Sequence, residues 1–166
     1  MRLITIILAM LLLLCAVLCC CRCTPPRVPE IHVNVPSLQV GEMQEKEESI
    51  PLGDEESARV EIRFGTGELW LAAGEQDKLF SGKFRYNVEE WEPEISYRDG
   101  RLIIEQGGFD RDWGFPSGNV HNKWELELSP AIPLDVKVRA GAGEGELDFT
   151  GLQVEELELD LGAGDL

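Results

Sequence analysis

An eight-residue unit that occurs three times constrains this chain more than any other feature of its sequence. VEIRFGTG at 60–67, VKVRAGAG at 136–143 and LELDLGAG at 157–164 each join an alternating apolar stretch to Gly-x-Gly. The last two copies lie 21 residues apart, a spacing typical of solenoid repeats. Because glycine has no Cβ atom, the chain can turn a corner there without a steric clash. The residues that we expect to form structural turns between stacked strands are Gly65, Gly67, Gly141, Gly143, Gly162 and Gly164.

Alternating runs outside the repeat also predict strands. The clearest runs cover 60–64, 84–88, 124–128 and 136–138. A period of two is typical of a strand with one buried face. Asp99-Gly100 lies between two further runs and is a strong signal for a tight hairpin. In the last repeat, Val154, Leu157 and Leu161 also fit helical spacing, but the flanking glycine pairs favour strand. The sequence therefore predicts an all-β fold from residue 58 onward.

Four segments in a fixed order resemble a known bacterial family. They are the opening at 60–70, the strand at 123–130, the joint at 132–134 and the Gly-Ala-Gly units at 141 and 162. Together they are similar to the toast-rack domain, which is also found in cell-wall-antibiotic-response proteins of the Lia-F type. The resemblance covers roughly 58–166. It implies a β-rich N-terminal module at 58–135 that leads into a right-handed parallel β-helix, a solenoid, from 136 onward.

The resemblance also bears on function. Relatives of known role restrain a membrane sensor kinase in envelope-stress signalling, and they carry several hydrophobic segments where this chain has one. The family offers no catalytic residues. The chain ends inside a rung at Asp165-Leu166, so we expect 136–166 to be the start of a truncated solenoid. We expect a non-enzymatic protein for interaction, scaffolding or stress sensing at the cell envelope, whose partner is a membrane protein or an envelope glycan.

The N-terminus carries a membrane signal. An apolar run at 3–21 lies between Arg2 and Arg22 and is long enough to form a hydrophobic helix across a bilayer. It also has the character of an export signal. Residues 1–23 are therefore either an uncleaved signal anchor or a lipoprotein signal, in which lipidation falls on Cys19, Cys20 or Cys21. Both alternatives place the body of the chain on the extracytoplasmic side of a bacterial cell membrane.

Charge limits the partners of the remaining chain. Residues 24–57 are rich in proline and in acidic residues, so we expect a disordered tether. The whole chain has 15 Lys and Arg against 31 Asp and Glu, a net charge of −16. Nucleic-acid binding needs clustered cations, so this balance argues against a nucleic-acid partner.

Three tryptophans are candidate interaction aromatics. Trp70 is out of phase with its apolar neighbours, Trp91 lies between two glutamates, and Trp113 lies in a glycine-rich loop. We expect Trp70 and Trp91 to be exposed, whereas Trp124 alternates with charges and is expected in the core. Exposed aromatics among acidic residues are compatible with a partner or glycan surface. A glycan-binding module is therefore the alternative function, and a polysaccharide-active enzyme is the third.

We predict no cofactor and no metal site. The 141–146 segment resembles a dinucleotide fingerprint, but Glu146 takes the place of its third glycine. His32 and His121 lack the spacing of metal ligands. The acidic residues of the repeat, Glu144, Glu146, Asp148 and Asp160, are expected to form a solvated strand face, with a weak divalent site as the alternative.

Overall fold

The computed structural model of the protein describes residues 39–109 and 118–166. These residues form an all-β fold, as the alternating runs predict. The strands are β1 (Val40–Pro51), β2 (Ala58–Ala73), β3 (Lys78–Val88), β4 (Pro93–Arg98), β5 (Arg101–Gln106), β6 (Asn122–Leu128), β7 (Pro133–Leu147) and β8 (Gln153–Asp165). A 3₁₀ turn, Glu89–Trp91, follows β3. The expected hydrophobic helix, the lipidation candidates Cys19, Cys20 and Cys21, and Trp113 lie outside the described residues.

β2 is the strand on which the sheet is built. One side of β2 pairs in parallel with β5 along its first half and with β6 along its second half. The other side pairs in parallel with β7 from Ala58 to Leu71, and β7 pairs in parallel with β8. β3 and β1 extend the sheet beyond β6 in antiparallel pairings. The two copies that lie 21 residues apart are thus neighbouring parallel strands, β7 and β8. β7 itself crosses the expected domain boundary at 135/136.

The parallel register aligns apolar side chains into rows. One row joins Leu102, Val60 and Val136 in adjacent strands. A second row joins Ile104, Ile62 and Val138 in the same way. All six side chains are buried. Burial stabilises a fold by about 25 cal/mol for each Å² of apolar surface removed from water, so the register itself creates the core.

The Gly-x-Gly corners of three strands lie against one another. Gly67, Gly143 and Gly164 are register partners in β2, β7 and β8. A Cβ atom on Gly143 would lie 2.5 Å from the Gly67 carbonyl oxygen, and one on Gly164 would lie 1.8 Å from that of Gly143. Gly67 and Gly164 also have positive φ values of 128° and 133°. Side chains are therefore excluded from these corners because the backbones of neighbouring strands lie too close together. The positive φ of the turn at Gly67 and Gly164 favours glycine for a second, independent reason.

The first glycine of each corner forms a second column. A Cβ atom on Gly141 would lie 2.5 Å from the Gly65 carbonyl oxygen, and one on Gly162 would lie 1.9 Å from that of Gly141. Before the corner of β2 the buried apolar side chains are at even-numbered positions, as at Phe64, and after it they are at odd-numbered positions, as at Leu69. The corner thus turns the chain while both halves of β2 keep one face in the core.

The hairpin predicted at Asp99-Gly100 is present between β4 and β5. Asp99 has φ 50° and Gly100 has φ 74°, so both central residues adopt the left-handed conformation that this two-residue turn requires. The flanking Arg98 and Arg101 are register partners in the antiparallel ladder.

β1 corrects the expectation that residues 24–57 are disordered throughout. Residues 40–51 of that segment form a strand at the edge of the sheet, paired with β3. Glu45 and Glu47 of β1 lie opposite Arg85 and Lys83 of β3. The acidic composition that suggested disorder therefore matches the cations of the neighbouring strand. Ile50, near the end of β1, also packs against the hydrophobic core.

We expect Gly143→Ala to lower the free energy of unfolding by about 1–3 kcal/mol, the usual cost of overpacking, because its Cβ atom meets a backbone oxygen. Gly41→Ala in β1 is the matched control, since a Cβ atom there would lie 3.7 Å from the nearest atom, the Asn87 carbonyl oxygen. Urea denaturation followed by circular dichroism measures both. Equal stability of the two variants would contradict the close stacking of the corners.

Candidate functional site

A row of five register partners crosses the exposed face of five strands. The row consists of Glu47 on β1, Lys83 on β3, Glu125 on β6, Trp70 on β2 and Glu146 on β7. Partners in register point to the same face of a sheet, so the indole lies between two carboxylates that come from the strands on either side. The row borders an open cavity of ≈ 940 Å³.

Trp70 is the aromatic residue of this face, and 39% of it is exposed. Its neighbours Leu69 and Leu71 are buried, so Trp70 must point outward. The Lys123 ammonium nitrogen lies 5.6 Å from the centroid of the indole ring. A cation–π contact at an exposed site is worth about 0.5–1 kcal/mol, which helps to hold the ring at the surface. The expected exposure of Trp70 agrees with the structure.

The charges around the cavity are predominantly acidic. Seven carboxylates and two lysines line it. Lys83 lies 3.5 Å from Glu47, and the Ser81 hydroxyl donates a 2.7 Å hydrogen bond to Glu127. Lys123 and Arg85 lie 2.9 Å and 3.2 Å from Glu125. The face therefore offers an aromatic ring among hydrogen-bond acceptors, with its cations already paired.

The carboxylates of this face that have shifted pKa values are ionised. Hydrogen bonds from Lys123, and also from Arg85, lower the pKa of Glu125 despite partial burial. A hydrogen bond from Thr150 lowers the pKa of Asp148. A general acid needs a raised pKa at neutral pH, so neither group is suited to protonate a leaving group.

A second polar cluster lies on the first half of β2, around Glu61. Arg63 Nε and Arg101 Nη2 lie 2.9 Å and 2.8 Å from the two oxygens of this buried carboxylate, and Arg139 Nη1 lies at 4.0 Å. Arg63 also bonds Glu105 at 2.7 Å. Burial by itself raises the pKa of Glu61, but the hydrogen bonds from Arg101 and Arg63 outweigh it, and the pKa falls below its ordinary value. The cluster joins β2, β5 and β7 through one carboxylate.

Trp91 does not belong to any exposed surface. Only 2% of it is accessible, which corrects the expectation of exposure drawn from its neighbours Glu89, Glu90 and Glu92. The 3₁₀ turn Glu89–Trp91 directs two glutamates outward and the third residue into the protein. Trp124, in contrast, is buried as expected and packs edge-on against Phe64 and Phe84, with ring centroids 5.2 Å apart in each pair. Trp70 is thus the candidate interaction aromatic that the described residues place at the surface.

Two buried amides cap the first glycine corner, and sequence reasoning missed both. The side-chain amide oxygen of Gln106, Oε1, accepts hydrogen bonds from Gly65 N at 2.9 Å and Thr66 N at 3.3 Å. Asn122 donates to the Thr66 carbonyl at 2.7 Å and to the Gln106 side chain at 2.9 Å. These side chains occupy the side of the β2 corner that β7 does not cover. A polar residue at the end of an alternating apolar strand, as at Gln106, is the signal that could have indicated the cap.

The described residues show neither a metal-ligand cluster nor a membrane-spanning helix. Within the described ranges, no group of three or more His, Cys, Asp or Glu residues is arranged to hold a metal ion. Glu144, Glu146, Asp148 and Asp160 all lie on or next to β7 and β8. In residues 39–109 and 118–166, no helix has the length and hydropathy needed to cross a bilayer.

Comparison with known proteins gives a family match and matches to solved structures. The family described as the N-terminal domain of toast_rack, DUF2154, matches residues 39–166, a range that includes β1. A candidate cell adhesion protein from Clostridium sporogenes has 31% sequence identity and a TM-score of 0.68, over 74% of this chain and 59% of its own. The chain therefore spans about three fifths of the length of that protein.

More distant structures match less well. A candidate adhesin from Parabacteroides distasonis has 14% identity and a TM-score of 0.38, over 75% of this chain and 55% of its own. One from Bacteroides fragilis has 12% identity and a TM-score of 0.37, over 74% and 60%. No curated protein matches the sequence.

We expect Glu61→Gln to lower the free energy of unfolding at pH 7 by about 1–2 kcal/mol, less than for a fully buried pair because its arginines are partly exposed. Because the folded-state pKa of Glu61 is lowered, its ionised carboxylate stabilises the fold at pH values above its unfolded-state pKa, near 4.5. This stabilisation is lost as the pH falls through the folded-state pKa. Between pH 6 and pH 3, the loss of stability should therefore be smaller in Glu61→Gln than in the parent. Glu56→Gln, at an exposed loop position, is the control. Urea titrations at each pH measure the slopes, and parallel curves for all three proteins would contradict the role of Glu61.

Proposed function

The chain belongs to the toast-rack family, because its residues 39–166 match the family's N-terminal domain, and we propose that it is a non-enzymatic interaction protein of the bacterial cell envelope. Its N-terminal segment holds it at the cell membrane, as an anchor or as a lipoprotein, with the strands on the extracytoplasmic side. Its similarity to a candidate cell adhesion protein supports a role in binding, scaffolding or stress sensing.

The observation that carries this proposal is the position of Trp70. A partly exposed indole on a five-strand face, next to an open cavity, is the type of residue that dominates binding energies in interfaces. The polar row around Trp70 forms the rim of such a contact. The partner docks on this face, and its central contact is the indole.

The non-enzymatic character rests on the chemistry of the same face. Glu125 and Asp148 are held in the ionised form by their hydrogen bonds. Glycoside hydrolysis needs one carboxyl group that stays protonated near neutral pH. Polysaccharide turnover is therefore the least supported of the three functions.

The parallel stack is, in the same proposal, the start of a right-handed β-helix. β2, β7 and β8 lie in parallel register, and β7 and β8 are separated by one 21-residue repeat. Each rung adds a further strip to the outer surface. A protein built in this way presents an extended, rigid surface to its partners.

A glycan is the second candidate ligand. Trp70 lies between Glu125 and Glu146 in register, and sugar rings stack on indole faces while their hydroxyl groups donate to carboxylates. The same cavity could then accommodate an oligosaccharide of the cell wall. The two candidates differ in the chemistry of the molecule that contacts Trp70.

Photo-cross-linking tests the proposal. A benzophenone amino acid at position 70, in cells of the producing bacterium, should yield an adduct with a defined envelope protein. The same amino acid at position 43 is the control, because Met43 is also exposed, at 51%, but lies on β1 away from the cavity. In binding assays with the captured protein, Trp70→Ala should weaken the affinity about 30-fold, the effect of losing a hot-spot residue.

The other outcomes decide between the alternatives. Saturable quenching of tryptophan fluorescence by cell-wall oligosaccharides, lost in Trp70→Ala and kept in Met43→Ala, would favour the glycan. Identical adducts at positions 70 and 43, or no adduct at either, would contradict docking on this face. Turnover of a polysaccharide by the purified chain would overturn the non-enzymatic assignment.

A further inference from the structure

The two sides of the Trp70 indole differ in their charge balance. On the β6 side, Glu125 is the register partner of Trp70, and Lys123 and Arg85 lie 2.9 Å and 3.2 Å from it. On the β7 side the register partner of Trp70 is Glu146, which forms no ion pair with any described residue. The carboxylate on one side of the ring thus has its cations, whereas the carboxylate on the other side has none.

Lys123 shows which chemistry the indole accepts. Its ammonium nitrogen lies 5.6 Å from the centroid of the Trp70 ring while it pairs with Glu125. An indole attracts cations through the negative potential of its ring faces, and one ammonium covers only one of the two faces. Trp70 remains partly exposed. A second cation, between Trp70 and Glu146, would therefore repeat on the β7 side the contact that Lys123 makes on the β6 side.

The second half of β7 and the residue after it extend this unpaired charge. Glu144, Glu146 and Asp148 occupy alternate exposed positions, and none of them forms an ion pair within the described part of the chain. Alternate residues of a strand point to one face and lie about 6–7 Å apart. Glu144 is in register with Glu68 of β2, and Lys123, on the other side of Glu68, pairs elsewhere. Opposed like charges are destabilising, so bound cations would stabilise this part of the sheet.

The cavity beside Trp70 has the same sign of charge. Seven carboxylates and two lysines line it, an excess of five negative charges. Both lysines are paired, Lys78 with Glu75 at 3.2 Å and Lys83 with Glu47 at 3.5 Å. Complementary potentials across an interface steer the correct partner and repel wrong ones. A basic partner surface is therefore complementary to this face, and an acidic one is excluded.

We propose that the partner docking on the Trp70 face is a protein that presents an extended basic segment with arginine at alternate positions. One guanidinium stacks on the indole and contacts Glu146, and the arginines two residues away lie beside Glu144 and Asp148. Arginine suits this role because its planar group stacks on aromatic rings and pairs with carboxylates. An extended peptide repeats the spacing of the three carboxylates. The inference rests on the proposed function, since it names the chemistry of the partner that contacts Trp70.

The test uses the full chain in a non-ionic detergent and an acetylated, amidated peptide, GRGRGRG, labelled with a fluorophore. Fluorescence anisotropy should show saturable binding. A peptide with citrulline in place of each arginine keeps the side-chain length without the charge, and it should bind about 10-fold more weakly. Spermidine carries the same three positive charges without a guanidinium or alternating side chains, and it should compete about 10-fold less well than unlabelled peptide.

Variants of the chain locate the binding. Trp70→Ala should weaken the affinity for the peptide about 5-fold, and so should Glu144→Gln combined with Glu146→Gln. Glu42→Gln combined with Glu94→Gln is the control, because it removes the same charge from exposed positions on β1 and β4 that do not line the cavity. This control should leave the affinity unchanged. Circular dichroism establishes that each variant keeps its strand content.

The outcomes separate this inference from the proposed function. Equal binding of the citrulline peptide, equal competition by spermidine, or equal weakening by the two double variants would overturn the inference. Cross-linking from position 70 is repeated in isolated envelopes with excess unlabelled peptide, which should abolish the adduct. An adduct that survives the peptide would overturn the inference and leave the proposed function intact. Peptide binding that requires Trp70, without any adduct in the envelope, would support the basic ligand and contradict the proposed function.

Discussion

The contact between successive glycine corners is the constraint on which the other features of this fold depend. The carbonyl oxygens of Gly65 and Gly67 occupy the space in which Cβ atoms of Gly141 and Gly143 would lie, and the same relation holds between β7 and β8. This contact fixes the parallel register. Once the register is fixed, Val60 meets Val136 and Ile62 meets Val138, and the apolar rows close without further adjustment. Bulky side chains at the corners would separate the strands and expose these rows.

The same register organises the polar surface. Because strands from distant parts of the sequence are held in line, Trp70 lies between Glu125 and Glu146, and Glu61 lies within reach of arginines from three strands. On β8 the same register places Leu157, Leu159 and Leu161 in line with Val136, Val138 and Ala140 of β7. The exposed aromatic face and the charged cluster around Glu61 are therefore two consequences of one stacking pattern.

The repeat and the alternation were readable from the sequence because they are local. Gly-x-Gly at a fixed spacing and the Asp99-Gly100 turn each need a few neighbouring residues to be recognised, and the phase of Trp70 against Leu69 indicated its exposure. Features that depend on distant partners were not readable. β1 becomes a strand because Arg85 and Lys83 lie opposite its glutamates, and Trp91 is buried because a short turn directs it inward. The Gln106 and Asn122 cap also required the fold to bring β5 and β6 to one corner.

Amide hydrogen exchange through the β7 corner tests the stacking most directly. β7 is flanked by β2 and β8, so its amides at Ala142 and Gly143 should exchange as slowly as those of Val136 and Val138 in the same strand. Residue-resolved exchange on the intact chain measures all four. If the corner amides exchange as fast as those of the exposed loop at Gly53 and Asp54, the corners are not in contact and this account of the fold is wrong.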